Sequence, residues 1–196
     1  LRWFIGYIRS LARPMGKVYM DIGEPVVLAR APHPDDKLAL SKIAFEVAVE
    51  ANHVTPITVP SLVTMSLLGA APRALTEAEV VHDIDVLLAW ASARKLRISA
   101  DFDPAYASQM ESLLGIMIDE GMVTRYDEGP DVVYAIEQEQ HAVASYYRNT
   151  IIHFFVNKAI IELALLKTSE TEGVAALEIF WTEVDRLRDL FKFEFF

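Results

Sequence analysis

Cysteine is absent from the chain, and with it go disulfides, thiolate metal sites and a cysteine nucleophile. The absence suits a reducing compartment and lends nothing to secretion. Basic residues are scarce: 18 Lys and Arg face 28 Asp and Glu, and the formal net charge of −10 opposes a sustained grip on a phosphate backbone. Nucleic acid is therefore not an expected partner. Long hydrophobic runs are missing too. The longest stretch without a formally charged residue, 51–72, holds His53, Pro56, Pro60 and Pro72, and prolines break the hydrogen bonding that a helix needs in hydrocarbon. Phosphate loops are also lacking, because Gly6, Gly16 and Gly23 match neither GxGxxG nor GxxxxGK.

What is present is ample material for a core. The chain has 196 residues, 53% of them apolar, enough for one ordinary domain or two small ones. A mean hydropathy of +0.24 is high for a chain with 23% charged residues, so some apolar face is expected to meet lipid or a partner. With no spanning helix, that contact would be surface association. The chain opens on Leu1-Arg2-Trp3 without an initiator methionine or a cleavage signal, and closes on Phe195-Phe196 without a polar tail. It reads as cut from something longer at both ends.

Periodicity sets out the elements. Residues 17–22 alternate like a strand, with Val18, Met20 and Ile22 on one face and Tyr19 and Asp21 on the other, until Gly23-Glu24-Pro25 stops it. A loop over 31–36 leads into a helix that carries Leu38, Ile43, Phe45, Val47 and Val49 to about Asn52, and a linker rich in Pro and Thr follows. A short apolar helix covers 61–70. Thr76 and Glu79 have the spacing of a capping box, and Val80, Ile84, Leu87, Leu88 and Ala91 carry that helix to about Lys95. Asp103-Pro104 opens a third helix, which Gly121 closes, and β-like runs at 122–126 and 131–136 flank a turn at Asp127-Glu128-Gly129-Pro130.

Three helices and a hairpin follow the order of a winged-helix module over 61–136. A DNA-binding version would carry a basic third helix, yet 106–120 contains Glu111, Asp119 and Glu120 and no Lys or Arg. The remainder reads as one long helix over 138–167, a polar break at 168–173, and a last helix to about Phe193.

Few residues have the pattern of a site. His33-Pro34-Asp35-Asp36 is similar to the His-Pro-Asp-Asp zinc motif of certain deacetylases, but Lys37 follows it and no second ligand pair stands downstream, so a proline-rich loop with a helix cap is the simpler reading. His82-Asp83-x-Asp85 lies early in a helix, where Asp favours the dipole and reads as a solvated face. One segment stands apart. On a continuous helix Tyr146, Asn149, His153 and Asn157 would form a polar stripe with Arg148 beside it, among bulky apolar neighbours. That stripe reads either as a satisfied network between packed helices or as a contact to an anionic head group or a catalytic domain.

The segment Tyr146-Tyr147-Arg148-Asn149 with Ile152-His153 resembles part of the C-terminal region of the bacterial membrane-bound glycerol-3-phosphate acyltransferase family. Two further patches agree in order: the run ending in Gly23-Glu24-Pro25, similar to a strand just after that family's catalytic core, and Leu67-Leu68, Ala70-Ala71 and Leu75-Thr76, similar to its helix, linker and Leu-Thr-led helix. The resemblance implies an enzyme on the cytoplasmic face of the cell membrane, peripheral or monotopic. It would transfer a fatty acyl group from acyl-CoA or acyl carrier protein to glycerol 3-phosphate, with no other cofactor.

That chemistry uses His-x-x-x-x-Asp, in which His takes the hydroxyl proton and Asp orients it. Five residues after His33, His53, His82, His141 and His153 stand Leu38, Thr58, Leu87, Tyr146 and Lys158, none an acid. No catalytic residue can be assigned.

The expectation is thus a mainly α chain with minor β. It would comprise the tail of an acyltransferase α/β domain over 1–30, a helix and linker over 31–60, a winged-helix-like module over 61–136 and long helices over 137–196. Its implied partners are a lipid surface and an upstream catalytic domain, and its substrate-contact or interdomain candidates are Tyr146, Arg148, Asn149 and His153. The alternatives are a non-enzymatic winged-helix interaction module and a parent acting on dihydroxyacetone phosphate or a lysophospholipid.

Overall fold

The computed structural model describes residues 3, 4, 7, 17–28, 31, 35–102, 105–171 and 175–192. Seven α-helices and a small antiparallel sheet are defined among them, so the expectation of a mainly α chain with minor β holds. The helices are α1 (Ala39–His53), α2 (Val59–Ala70), α3 (Glu77–Ala93), α4 (Met110–Asp119), α5 (His141–Asn149), α6 (Val156–Ser169) and α7 (Ala176–Phe191). The strands are β1 (Leu75–Thr76), β2 (Thr124–Tyr126) and β3 (Val133–Ala135).

The core forms around α2. Thr58 caps it by accepting from the Ser61 amide while the Ser61 hydroxyl accepts from the Thr58 amide, and Pro60 sits where a missing N–H costs nothing. The expected start at 61 is therefore two residues late, because the proline lies inside the first turn. Leu62, Val63 and Thr64 are fully buried, and α2 packs against α3 and α5. Thr76 and Glu79 cap α3 as expected, with the Glu79 carboxylate accepting from the Thr76 amide at 2.8 Å.

The sheet runs in the order β1-β3-β2, pairing Leu75 with Tyr134 and Arg125 with Tyr134. The hairpin was legible in the sequence, whereas β1 was not: two residues carry no period, and only its pairing with β3 defines it. Gly121 closes α4 at φ +72°, a conformation that a side chain disfavours. Asp103-Pro104 lies outside the described residues, and a 3₁₀ turn at Tyr106–Gln109 leads into α4.

Residues 17–22, expected as a strand, take no regular secondary structure and pair with no strand among the described residues, since alternation makes a strand only where a neighbour supplies the ladder. The Pro- and Thr-rich linker before α2 joins two helices and is also pinned to the core. Ile57 is fully buried and exchanges hydrogen bonds with loop 97–99, through Arg97 O and the Ser99 amide. The helix read as continuous over 138–167 breaks at 150–155. There Thr150 turns its hydroxyl onto the Tyr147 carbonyl, Ile152–Phe154 forms a 3₁₀ turn, and the kink drives Ile151 and Phe155 into the core. Hydrophobic anchoring of those two side chains overrides the local helical period.

Two cores result. The larger joins α2, α3, α4, α5 and the sheet; the smaller lies between α6 and α7, around Val156, Ile160, Ala164, Val184 and Leu187.

Candidate functional site

The break at 150–155 interrupts the continuous helix on which the polar stripe was drawn. Tyr146 and Asn149 stay on α5 and are exposed, His153 sits in the 3₁₀ turn, and Asn157 falls on α6. Tyr146 meets Tyr147 edge to face, with ring centroids 5.6 Å apart. The Arg148 guanidinium donates from Nε and Nη2 to the neighbouring Asn149 Oδ1 at 3.1 and 3.0 Å. His153 reaches across the chain, its Nε2 donating to the Asn52 carbonyl at the end of α1 over 3.1 Å. Burial holds the His153 pKa below the usual histidine value, against the opposing pull of that carbonyl. An imidazole held by a backbone carbonyl serves as a tie between α1 and the 3₁₀ turn. The four candidates make different contacts within the structure.

The other histidines are dispersed. His53 ends α1, His82 lies on α3 and His141 begins α5, all three exposed, while His33 is outside the described residues. Among the described residues no group of three or more His, Asp or Glu could hold a metal ion. Of the His-Pro-Asp-Asp run, Asp35 and Asp36 are described, and the Asp36 Oδ1 accepts from the Leu38 amide at 3.0 Å in the manner of a helix-start turn. His82 and Asp85 lie on an exposed face as expected, whereas Asp83 is half-buried and used in packing. Asp83 accepts from the buried Ser66 hydroxyl of α2 at 2.6 Å, and Asp85 accepts from the Tyr106 hydroxyl. Burial, then the Asp85 carboxylate, pushes the Tyr106 pKa upward. These carboxylates tie α3 to its neighbours.

The cluster that sequence reasoning missed lies at the loop after α3. Asp101 accepts from the Lys17 ammonium at 3.0 Å and from the Tyr19 hydroxyl through Oδ1, and from the Ser99 hydroxyl at 3.3 Å through Oδ2. Arg97 reaches Asp21 at 3.9 Å. Burial alone would raise the Asp101 pKa; the Tyr19 and Lys17 hydrogen bonds outweigh it and hold the carboxyl below its ordinary value. The signal was present as the polar face of the 17–22 alternation. What it faced was not. Nearby, two shallow grooves run between residues 20–27 and α1, lined by Ile22 and Val54 on one side and by Phe45 and Val49 on the other.

Comparison with known proteins places this geometry. Residues 1–196 match the family model described as the glycerol-3-phosphate acyltransferase C-terminal region. Over a 203-residue alignment the chain is 35% identical to proteins that carry the acyltransferase name plsB1 in Mycobacterium tuberculosis and Mycobacterium bovis, covering 100% of this chain and 32% of each relative. The chain therefore spans about a third of the length of the curated relatives it matches.

Proposed function

This chain belongs to the family of glycerol-3-phosphate acyltransferase C-terminal regions, and from that premise we propose that it is the accessory part of a glycerol-3-phosphate 1-O-acyltransferase. The parent enzyme transfers a fatty acyl group from acyl-CoA or acyl carrier protein to the 1-hydroxyl of glycerol 3-phosphate, an early step of phospholipid synthesis. The observation that carries the reading is the family match over the whole chain, combined with five histidines that have no acid at the spacing acyl transfer uses. The catalytic pair belongs to the rest of the parent.

Within the parent, we read 59–136 as a winged-helix-like module. Its order of helix, strand, two helices and hairpin, with the sheet arranged β1-β3-β2, supports that reading, and the acidic α4 directs it toward protein contact. Association with the membrane is peripheral on this reading. Among the described residues no helix is long and apolar enough to cross a membrane. The exposed apolar residues of α1, Leu40 and Val47 on one side and Phe45 and Val49 on the other, offer apolar area that suits the catalytic part.

The test is acyl transfer by the full-length protein, with glycerol 3-phosphate, dihydroxyacetone phosphate and a lysophospholipid offered as competing acceptors. Changing the His of its His-x-x-x-x-Asp to Ala should abolish transfer, and a preference for either of the other acceptors would overturn the proposed substrate.

A further inference from the structure

Lys17, Tyr19 and Asp21 alternate along their segment and all three contact the loop 97–101, so their side chains share one face. That loop is not a free arm. The Ile57 amide donates to Arg97 O and the Ser99 amide donates to Ile57 O, both at 2.9 Å, and Ile57 and Ser99 are themselves buried. A continuous mechanical path therefore runs from the main core through Ile57 and the loop to Asp101, and from Asp101 to the segment. The opposite face of the segment is Val18, Met20 and Ile22, with 88%, 83% and 87% of their surface exposed. Three apolar side chains in a row, held outward by a polar grip on their other face, are positioned to be covered.

Resting on the accessory-region reading above, we propose that Asp101, assisted by Arg97, is a positioning residue that fixes the catalytic part of the parent enzyme on this region. It grips the polar face of 17–22, while the Val18, Met20 and Ile22 face and the unladdered backbone receive a strand or apolar face of that catalytic part. The occupant is argued from length and from geometry. The relatives are about three times as long as the segment they share with this chain, so most of the parent lies outside it. The segment also offers two features that a sheet recruits, a backbone without a partner strand among the described residues and an exposed apolar row at period two. Loss of the grip would loosen the orientation of a distant reaction centre without touching substrate.

The experiment is hydrogen exchange on the full-length protein, followed over 17–28 with α2 as internal reference. In the wild type, 17–28 should be protected. In Asp101→Ala, which removes the hydrogen bonds that Lys17 and Tyr19 donate to the carboxylate, its exchange should quicken at least about tenfold with α2 unchanged. Met20→Asp should do the same from the other face, and the swapped pair Lys17→Glu with Asp101→Lys should restore protection. Unprotected 17–28 in the wild type, or unchanged exchange in Asp101→Ala, would overturn the proposal. Acyl transfer on the same preparations separates the two readings. A wild type without transfer sinks the enzyme assignment and leaves the exchange result standing, whereas an active wild type with an indifferent Asp101→Ala sinks only the anchor. The anchor also requires that Asp101→Ala lower kcat more than it raises KM.

Discussion

The middle of the chain and its flanks have similar apolar content and use it in opposite ways. From Ile57 to Phe155, apolar side chains converge on α2, and a dozen large ones are buried almost completely. In α1 no residue is buried, and Leu40, Phe45, Val47 and Val49 face outward. At the other end, α6 gives Val156, Ile160 and Ala164 to its contact with α7 but also exposes Ile161, Leu163, Leu165 and Leu166. The middle buries its large apolar side chains, whereas the flanks leave many of theirs exposed.

The largest expected effect follows from this contrast. Leu62→Ala, at a fully buried position of α2, should lower the unfolding free energy by about 3 kcal/mol. Phe45→Ala, on exposed α1, should change it by less than about 0.5 kcal/mol in this chain. Urea unfolding of both variants checks the pair. Repeating it in the full-length protein sharpens it, because a covered α1 should make Phe45→Ala costly there. Equal costs in the short chain would erase the distinction between middle and flank.

A smaller effect belongs to the cap of α3. Thr76→Ala should cost about 1 kcal/mol. The Glu79 carboxyl is held at about 2 by the Thr76 amide first and by Arg73 and the Thr76 hydroxyl next. Because its folded value lies below the unfolded one, its contribution is present above the ordinary carboxyl range and is lost as pH falls toward about 2. Unfolding curves of wild type and Glu79→Gln should therefore differ at neutral pH and converge as the pH drops through that window.

The smallest effect is expected at Arg148. Its guanidinium is engaged by the adjacent Asn149, so Arg148→Ala should move stability by less than about 0.5 kcal/mol. In the full-length protein the same variant should leave activity and membrane recovery unchanged, as measured by acyl transfer and by sedimentation with vesicles. A clear loss in either would return Arg148 to the working surface of the flank.

Much of the middle was legible because its signals are local. Thr76 with Glu79, Gly121, and the turn around Gly129-Pro130 each act through backbone chemistry within a few residues, and the structure keeps them all. The polar stripe was not legible. It presumed an unbroken helix through Ile151, and the helix breaks there because burying Ile151 and Phe155 outweighs one turn of hydrogen bonds. Asp83 was misread for a related reason: helical position shows that an acid favours an N-terminal turn, but not that Ser66 will donate to it.

The sequence by itself determined the helical class, the caps and turns, the absence of a catalytic His-acid spacing within the chain, and the residues through which a family resemblance could be drawn. Only the tertiary structure decided that residues 17–22 have no strand partner among the described residues, that the long helix breaks at 150–155, and that Asp101 faces Lys17 and Tyr19 across 84 and 82 residues of chain. Those outcomes depend on which distant surfaces meet, and the free energy of burying them against one another is not written in any local period.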